Sequence, residues 1–281
     1  MTAHSESIST RDYNRLRELI YDHAGIRLGT ERKTMLELRI KRRLRELDIC
    51  SYSGYCEFLF SHQGMKNELV HLIDVVTTNK TDFFREIGHF EHLSQRTLPE
   101  FVEHNPSGRP FVIWSAGCST GEEPYTMGIV LSEFAELHPS FRFRILASDI
   151  SNLVLAKAQA GIYSESDIHP ISTSLRRKYF MHSCDKANPR VRVVPELRRQ
   201  VEFRRLNFMD EDYGIRETID AIFCRNVMIY FDRPTQERIL GKLADCLSPG
   251  SCMFVGHAET LHDMTLPLAP IAPSVYRRNR G

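Results

Sequence analysis

Apolar residues recur at helical spacing along the first quarter of the chain. From about residue 10 to residue 76 they fall three and four positions apart, which is the period of a helix with one buried face. Short breaks containing glycine, serine or threonine interrupt the pattern at 24–25, 28–30 and 51–54. We therefore predict a small all-helical domain over residues 1–76.

From residue 111 onward the pattern changes to short apolar runs with helical stretches between them. Five runs have the length and composition of buried strands. These runs are 111–115, 143–148, 201–206, 221–224 and 252–257. Helical patterns cover 125–137 and 236–247, and the stop signal Pro249-Gly250 follows the second. This alternation is typical of an α/β fold with a largely parallel sheet and helices on both faces.

One segment departs from the alternation. Between about 164 and 203 the chain has a helical turn and then PRVRVVPELRRQVEF, which we interpret as short antiparallel strands. A junction over 77–110 separates the helical pattern from the first strand. The predicted organisation is thus a helical domain, this junction, and an α/β domain over 111–281 that carries a small β insertion.

Composition narrows the class of protein. The 281 residues have a formal net charge of +1, so electrostatic recognition must come from a local patch. Seven cysteines form no CxxC pair and no Cys/His run with zinc spacing, which indicates reduced thiols. The opening MTAHSESISTRDY lacks the apolar core of a signal peptide, and no apolar stretch reaches the roughly 18 residues of a membrane span. We expect a soluble, cytoplasmic protein.

A turn of small residues follows the first predicted strand. Residues 117–121, with sequence GCSTG, let a ligand approach the backbone near a helix N-terminus. Glu122 and Glu123 open that helix, and no lysine follows Gly121. Two carboxylates repel a pyrophosphate but suit a ligand that carries an ammonium or sulfonium group. An ordinary loop, with both glutamates stabilising the helix dipole, is the alternative.

Polar residues also end the next three strands. Asp149 stands where α/β folds hold a ribose through its hydroxyls, although it could instead cap the helix that begins at Asn152. The pair 207–208, Asn and Phe, could read and flank an adenine ring, or form a plain loop. Arg225 and Asn226 follow the fourth strand, at the edge where open sheets bind ligands.

Two further stretches are candidates for binding. The junction segment 77–86, TTNKTDFFRE, is polar enough for a linker, yet its two phenylalanines would be wasted there, and clefts between domains are favoured sites. Five basic residues cover the outward arc of one predicted helix, either as a solvated face or as a surface for an acidic helix or nucleic acid. They are Arg39, Lys41, Arg42, Arg43 and Arg45.

Taken in order, these motifs resemble the CheR family of chemotaxis receptor methyltransferases. The likeness is carried by TTNKTDFFRE, WSAGCSTGEEPYT, ASDI with AxAGIY after it, and IFCRNVMIYFD. It extends to YxxAGIxL over 21–28 and to GHAE near the end, so it covers nearly the whole chain. Four extended motifs at matching separations are far more specific than one glycine-rich loop.

The resemblance implies a fold, a cofactor and a substrate. The fold would be a Rossmann-like class I methyltransferase sheet with an N-terminal all-helical domain and a small antiparallel β-subdomain. S-adenosylmethionine would be the methyl donor, S-adenosylhomocysteine the product, and no metal would be needed. The acceptors would be glutamate side chains on cytoplasmic helices of methyl-accepting chemotaxis receptors, which become methyl esters.

The resemblance also assigns residues by motif. Those expected in the cofactor pocket are Asn79, Thr81, Arg85, Glu123, Asp149, Asn207, Phe208, Arg225 and Asn226. Tyr230 is expected beside the transferring methyl group, with Arg85 as the cation that keeps the acceptor ionised. A glutamate with a pKa near 4.3 is already ionised at neutral pH, so no general base is required.

The remaining expectations concern partners. The basic helix would dock the acidic receptor helices, and the β-subdomain, around 190–203, could grip a receptor C-terminal peptide. We expect a monomer. Methylation of nucleic acid or a small molecule is a rival function, but the modest net charge and the lack of an (N/D)PPY motif count against base methylation. A non-catalytic, cofactor-sensing adaptor is a second rival function. Loss of Arg85, Asp149 or Tyr230 would favour it, and all three residues are present.

Overall fold

The structure is a computed structural model that describes residues 7–105, 108–185 and 187–280. The prediction that no signal peptide opens the chain rests partly on residues 1–6, which lie outside the described residues. Within the described ranges, no helix combines the length and the apolar character needed to cross a bilayer.

The first part of the chain is helical, as predicted. Its helices are α1 (Thr10–Ala24), α2 (Lys33–Glu46), α3 (Tyr52–Leu59), α4 (His62–Asn67) and α5 (Leu69–Val76). Ser9 caps α1 by accepting a hydrogen bond from the backbone N–H of Asp12, and Gly25 ends the helix in a left-handed conformation with φ of 70°. The apolar stripes of α1, α2, α3 and α5 pack into one core of their own.

Helices and strands then alternate. The strands are β1 (Phe111–Ala116), β2 (Phe143–Asp149), β3 (Ile162–Ser164), β4 (Phe180–His182), β5 (Arg190–Val193), β6 (Val201–Arg205), β7 (Ile219–Cys224), β8 (Leu247–Val255), β9 (Leu268–Ala272) and β10 (Val275–Arg278). The helices are α6 (Gly88–His92), α7 (Leu98–His104), α8 (Glu122–Leu137), α9 (Asn152–Ala160), α10 (Thr173–Tyr179), α11 (Pro195–Arg198) and α12 (Arg233–Cys246).

Seven of these strands form one sheet in the order β6-β2-β1-β7-β8-β10-β9. The first five run parallel, while β10 pairs antiparallel with both β8 and β9. Neighbouring residues of β1 enter different cores: Ile113 packs with the side chains of α8 and Trp114 with those of α12. Because successive strand residues point to opposite faces, helices cover both sides of the sheet, which confirms the predicted α/β fold.

A second, three-stranded antiparallel sheet has the order β3-β5-β4, as the inserted segment predicted. It occupies 162–193. Residues 201–203, which we had assigned to the insertion, pair in parallel with β2 and belong to the large sheet. Val201 is buried there, Glu202 is exposed and Phe203 is partly buried.

The prediction that Pro249-Gly250 end the last helix is wrong. Helix α12 already ends at Cys246, and Pro249-Gly250 lie inside β8. The pairing of β7 with β8 shifts its register between Ile219 and Ala221. This irregularity lets the strand accommodate a proline, which cannot donate a ladder hydrogen bond, and Gly250 with φ of 85°.

Candidate active site

A cavity of about 1180 Å³, counting the part open to solvent, lies between the helical domain and the carboxyl edge of the parallel strands. The end of α1 and the residues after α5 form one side, and the loops after β1, β2, β6 and β7 form the other. All ten predicted cofactor and catalytic residues line it. They are Asn79, Thr81, Arg85, Glu123, Asp149, Asn207, Phe208, Arg225, Asn226 and Tyr230. The structure brings them together, and the role of each stays a prediction.

The loop after β1 uses its own backbone amides internally. The N–H groups of Gly117 and Cys118 donate to the carbonyl of Ser148 at 2.8 and 2.9 Å, and that of Gly121 donates to Cys118 at 3.1 Å. The N–H of Ser119 donates to the Asp149 carboxylate at 2.9 Å. These amides are therefore unavailable as a cradle for a phosphate, in contrast to a phosphate-binding loop.

Asp149 has capacity left for a ligand. Its two oxygens accept one backbone N–H each, from Ser119 at 2.9 Å and from Ser151 at 3.0 Å. A carboxylate offers about four acceptor positions, so two remain, which suits a pair of ribose hydroxyls. Helix α9 is capped by Ser151 instead, so the alternative reading of Asp149 as its cap is wrong. Burial raises the pKa of Asp149, while both N–H groups oppose the rise.

Glu123 and Arg225 are occupied with each other. Arg225 Nε donates to Glu123 Oε2 at 2.7 Å, and the Ser115 hydroxyl donates to Glu123 Oε1 at 2.7 Å. The guanidinium, with a side chain only 2% exposed, lies over the rings of Phe90 and Phe223. The pair presents little net charge to the cavity, whereas we expected a free glutamate that attracts a cationic ligand.

Glu122 does not line the cavity. Its Oε2 accepts a hydrogen bond from the Thr120 hydroxyl at 2.7 Å, and burial raises its pKa to about 7. The two neighbouring glutamates therefore play separate parts, because successive helix positions lie about 100° apart around the axis.

Glu86, His89 and His257 place potential metal-ligand atoms within 4.8 Å of one another. Arg225 Nη1 already lies among them, 3.0 Å from His89 Nδ1 and 3.4 Å from Glu86 Oε2. Burial and the charge of Arg225 lower the pKa of His89 to about 4, so the imidazole is neutral at pH 7 and accepts from the guanidinium. The guanidinium of Arg225 therefore already contacts two of the three residues of this cluster.

Like Lys80, Arg85 lines the cavity without a countercharge among the described residues. Its Nη1 donates to the carbonyl of Lys80 at 3.1 Å, and no carboxylate in the described ranges is within ion-pairing distance of it. Tyr230 lines the same cavity and donates to the carbonyl of Thr78 across 3.4 Å. The guanidinium of Arg32, from the helical domain, lies 5.9 Å from the Tyr230 ring.

The side chain of Asn207 joins the two domains. Its Nδ2 donates to the carbonyl of His23, at the end of α1, at 2.7 Å, and its Oδ1 accepts from the N–H of Met209 at 3.0 Å. Each polar atom of the amide thus has one protein partner, which leaves one donor and one acceptor position for a ligand such as adenine. The neighbouring Phe208 supplies an apolar wall.

Sequence reasoning missed several residues of the cavity. Ala24 and Ile26 line it from the helical domain, inside the YxxAGIxL motif, and that motif was the available signal. Glu86 does not line the cavity, but it ends the junction motif and accepts a hydrogen bond from the side chain of the lining residue Asn226 at 3.3 Å. Its role depends on a contact 140 positions away in the chain, for which a single sequence carries no signal.

The basic face of α2 is only partly free. Arg39 Nη1 donates to the carbonyls of residues 75, 76 and 77 at 2.7 to 2.9 Å and so closes the end of α5. Arg43 forms an ion pair with the buried Glu68 at 2.7 Å. Three of the five predicted partner-binding residues remain exposed, and Leu38 beside them is 68% exposed. These three are Lys41, Arg42 and Arg45.

The residues of the cavity fit S-adenosylmethionine. Asp149 retains acceptors for ribose hydroxyls, and Phe208 offers an apolar surface to a base. The backbone N–H groups of Gly117, Cys118 and Gly121 are hydrogen-bonded within the protein and cannot bind a phosphate. S-adenosylmethionine contains no phosphate group, so it does not need them.

Two family models match the chain in tandem. The CheR methyltransferase all-alpha domain matches residues 11–77, and the CheR methyltransferase SAM binding domain matches residues 79–274. A chemotaxis protein methyltransferase of Borreliella burgdorferi is 37% identical over 276 residues, which cover 97% of this chain and 96% of that protein. One from Salmonella typhimurium is 37% identical over 270 residues, covering 96% of this chain and 91% of that protein.

Proposed function

This chain belongs to the CheR family of chemotaxis methyltransferases and uses S-adenosylmethionine, and on that premise we propose that it methylates glutamate side chains of methyl-accepting chemotaxis receptors. The products are glutamyl methyl esters and S-adenosylhomocysteine. The enzyme is then a protein-glutamate O-methyltransferase that acts in the cytoplasm, as a monomer, in sensory adaptation.

One observation carries the choice of a carboxylate acceptor. Arg85 is a cation in the cavity wall without a protein countercharge among the described residues, whereas the neighbouring Arg225 is neutralised by Glu123. A buried acceptor glutamate would otherwise tend to take up a proton, because burial raises the pKa of a carboxyl group. Arg85 offsets this tendency and leaves the acceptor ionised and nucleophilic.

The residues of the cavity would promote transfer mainly by alignment. When bound there, the donor supplies a methyl group activated by its positive sulfur. Asp149 and Phe208 hold the nucleoside part, Arg85 orients the acceptor oxygen, and Tyr230 closes the space beside the reacting atoms. Good alignment can contribute roughly 7–11 kcal/mol to such a reaction. The acceptor is already ionised, so no residue needs to act as a general base.

The outward face of α2 is the proposed docking surface for the receptor. Lys41, Arg42 and Arg45 are exposed there around Leu38, which is 68% exposed. An acidic amphipathic helix matches such a surface through both charge and apolar contact. The antiparallel sheet β3-β5-β4 is the proposed place for a receptor C-terminal peptide, which could add a strand at its edge.

The test is incubation of the protein with methyl-labelled S-adenosylmethionine and cytoplasmic receptor fragments. We expect base-labile label on glutamate residues, because esters hydrolyse in alkali. A receptor fragment in which the methylated glutamates are replaced by alanine is the control. Label that resists base, or label that appears equally on the control fragment or on nucleic acid, contradicts the proposed substrate.

A further inference from the structure

A buried carboxylate outside the cavity holds the loop that follows β7. Glu259 is 7% exposed and lies in the turn after β8, and it does not line the cavity. Its Oε2 accepts from the backbone N–H of Asn226 at 2.9 Å and of Gly256 at 2.6 Å. Its Oε1 accepts from the N–H of Met228 at 2.7 Å. Three backbone donors therefore converge on one carboxylate, at the short distances typical of charge-assisted hydrogen bonds.

The loop that Glu259 holds has a demanding conformation. Asn226 has φ of 59°, in the left-handed region that residues other than glycine seldom adopt. Arg225 precedes it and is fixed by Glu123, while a single 3₁₀ turn, Met228–Tyr230, follows it. Asn226 and Tyr230 line the cavity, so the position of this loop decides the shape of the wall.

Gly256 permits the close approach of the two segments. A Cβ atom at this position would lie 2.6 Å from Asn226 Nδ2 and 2.8 Å from Glu259 Oε2. Any larger residue would therefore push the loop or the carboxylate away. The glycine and the glutamate act together, the first by leaving space and the second by supplying acceptors.

We propose that Glu259 is a positioning residue of the methyltransferase, which sets the placement of Asn226 and Tyr230 and thereby the affinity for the cofactor and the rate of transfer. The effect on transfer rests on the proposed function. The effect on cofactor binding does not, because it is measured without an acceptor.

The matched control is Asp220, near the start of β7, whereas Glu259 holds the loop that follows the end of β7. Asp220 is 4% exposed, accepts from the N–H of Val112 at 2.9 Å, forms an ion pair with Arg109, and does not line the cavity. Asp220→Asn therefore reports the general consequence of neutralising a buried carboxylate on β7. A merely structural Glu259 would behave in the same way.

The experiment measures binding of S-adenosylhomocysteine by calorimetry and thermal unfolding for the wild type, Glu259→Gln, Gly256→Ala and Asp220→Asn. We expect Glu259→Gln to weaken binding roughly 10- to 100-fold, the range that follows from losing one hydrogen bond to a charged group. Gly256→Ala should weaken binding by roughly tenfold or more, because its methyl group would displace Asn226 or Glu259. Asp220→Asn should stay within about twofold of the wild type even where its unfolding temperature falls, since a factor of two is under about 0.5 kcal/mol.

Unchanged binding in folded Glu259→Gln would overturn the inference. If that variant fails to fold, Gly256→Ala decides, because it displaces the loop while retaining the carboxylate; unchanged binding there would also overturn it. Wild-type protein that binds the product but labels no receptor would contradict only the proposed substrate, and the comparison of affinities among the variants would stand.

Discussion

At the scale of single residues, pairing of charges decides which ionisable groups can act on a ligand. Glu123 and Arg225 share a 2.7 Å contact and neutralise each other beneath the cavity wall. Asp149 accepts backbone N–H groups and no cation, and Arg85 donates to one carbonyl. Asp149 and Arg85 both keep unused capacity and carry opposite charges, which suits a donor and an acceptor that also differ in charge.

Arg85→Ala tests the assigned cation. We expect kcat/KM for methyl transfer to fall by at least roughly 100-fold, the scale on which loss of one preorganised charge lowers a rate. The unfolding temperature should change little, because Arg85 makes one hydrogen bond and no ion pair with the described residues. Arg96→Ala, which removes an exposed arginine outside the cavity, is the control and should retain full activity. Near-normal turnover of Arg85→Ala would remove Arg85 from the mechanism.

Glu122 predicts a dependence of stability on pH. Burial raises its pKa in the folded protein from the usual 4.5 to about 7. Between these values the folded state holds a proton that the unfolded state has lost, so stability falls as pH rises through that window, by about 3 kcal/mol at most. Urea unfolding at pH 5 and pH 8 measures the free energy of unfolding. From pH 5 to pH 8 this free energy should fall more for the wild type than for Glu122→Gln. Parallel behaviour of the two proteins would contradict this assignment.

At the scale of elements, helix α2 divides its basic residues between two tasks. Arg39 and Arg43 bind acceptors inside the helical domain, at the end of α5 and at Glu68. These contacts hold the start of the junction that contributes Asn79 and Thr81 to the cavity. The exposed residues of the same helix are the ones available to a partner.

Reversing the exposed charges of α2 tests receptor docking. The triple change Lys41→Glu, Arg42→Glu and Arg45→Glu should raise the KM for a receptor fragment roughly tenfold or more at low salt, with kcat unchanged, because such charges act mainly on encounter and affinity. The difference should shrink as salt rises. Arg11→Glu, Lys66→Glu and Arg96→Glu together give the same change in net charge elsewhere. An equal effect of both triples would exclude a specific surface on α2.

At the scale of the whole molecule, the cavity belongs to both domains. The helical domain contributes Ala24 and Ile26, and its contacts with the sheet edge include Asn207 with His23 and Tyr21 with Asp232, the latter at 2.7 Å. A ligand in the cavity therefore contacts residues far apart in the chain. We infer that binding of the cofactor links the stability of the two domains.

This linkage predicts the response to S-adenosylhomocysteine. At 100 times its dissociation constant the product should stabilise the fold by about 2.7 kcal/mol, which raises the unfolding temperature by roughly 5–10 °C. Hydrogen exchange should slow in 24–28 and 77–85 as well as at the ends of the parallel strands. Protection confined to the strand ends would show that the helical domain takes no part in binding.

Local pattern in the sequence predicted the helical domain and the parallel strands, but not the antiparallel strands β9 and β10 at the edge of the sheet. Period-3.6 apolar stripes predicted the helical domain, and apolar runs predicted the five parallel strands, because burial of one face or of both leaves a direct trace in residue order. Four motifs at matching separations then indicated the family, which the family models and the relatives confirm. The loops that follow parallel strands meet at one sheet edge, so placing the site there also needed no coordinates.

Tertiary structure alone decided what the polar side chains do. Nothing in the order of residues shows that Glu123 is neutralised by Arg225, 102 positions later, that Asn207 joins the two domains, or that Glu259 holds Asn226. An apolar residue only has to be buried, whereas a buried polar group needs a particular partner at hydrogen-bond distance, and that partner comes from anywhere in the chain. The sequence thus identified ten of the residues that line the cavity, and only the fold showed the others and which of them keep capacity for a ligand.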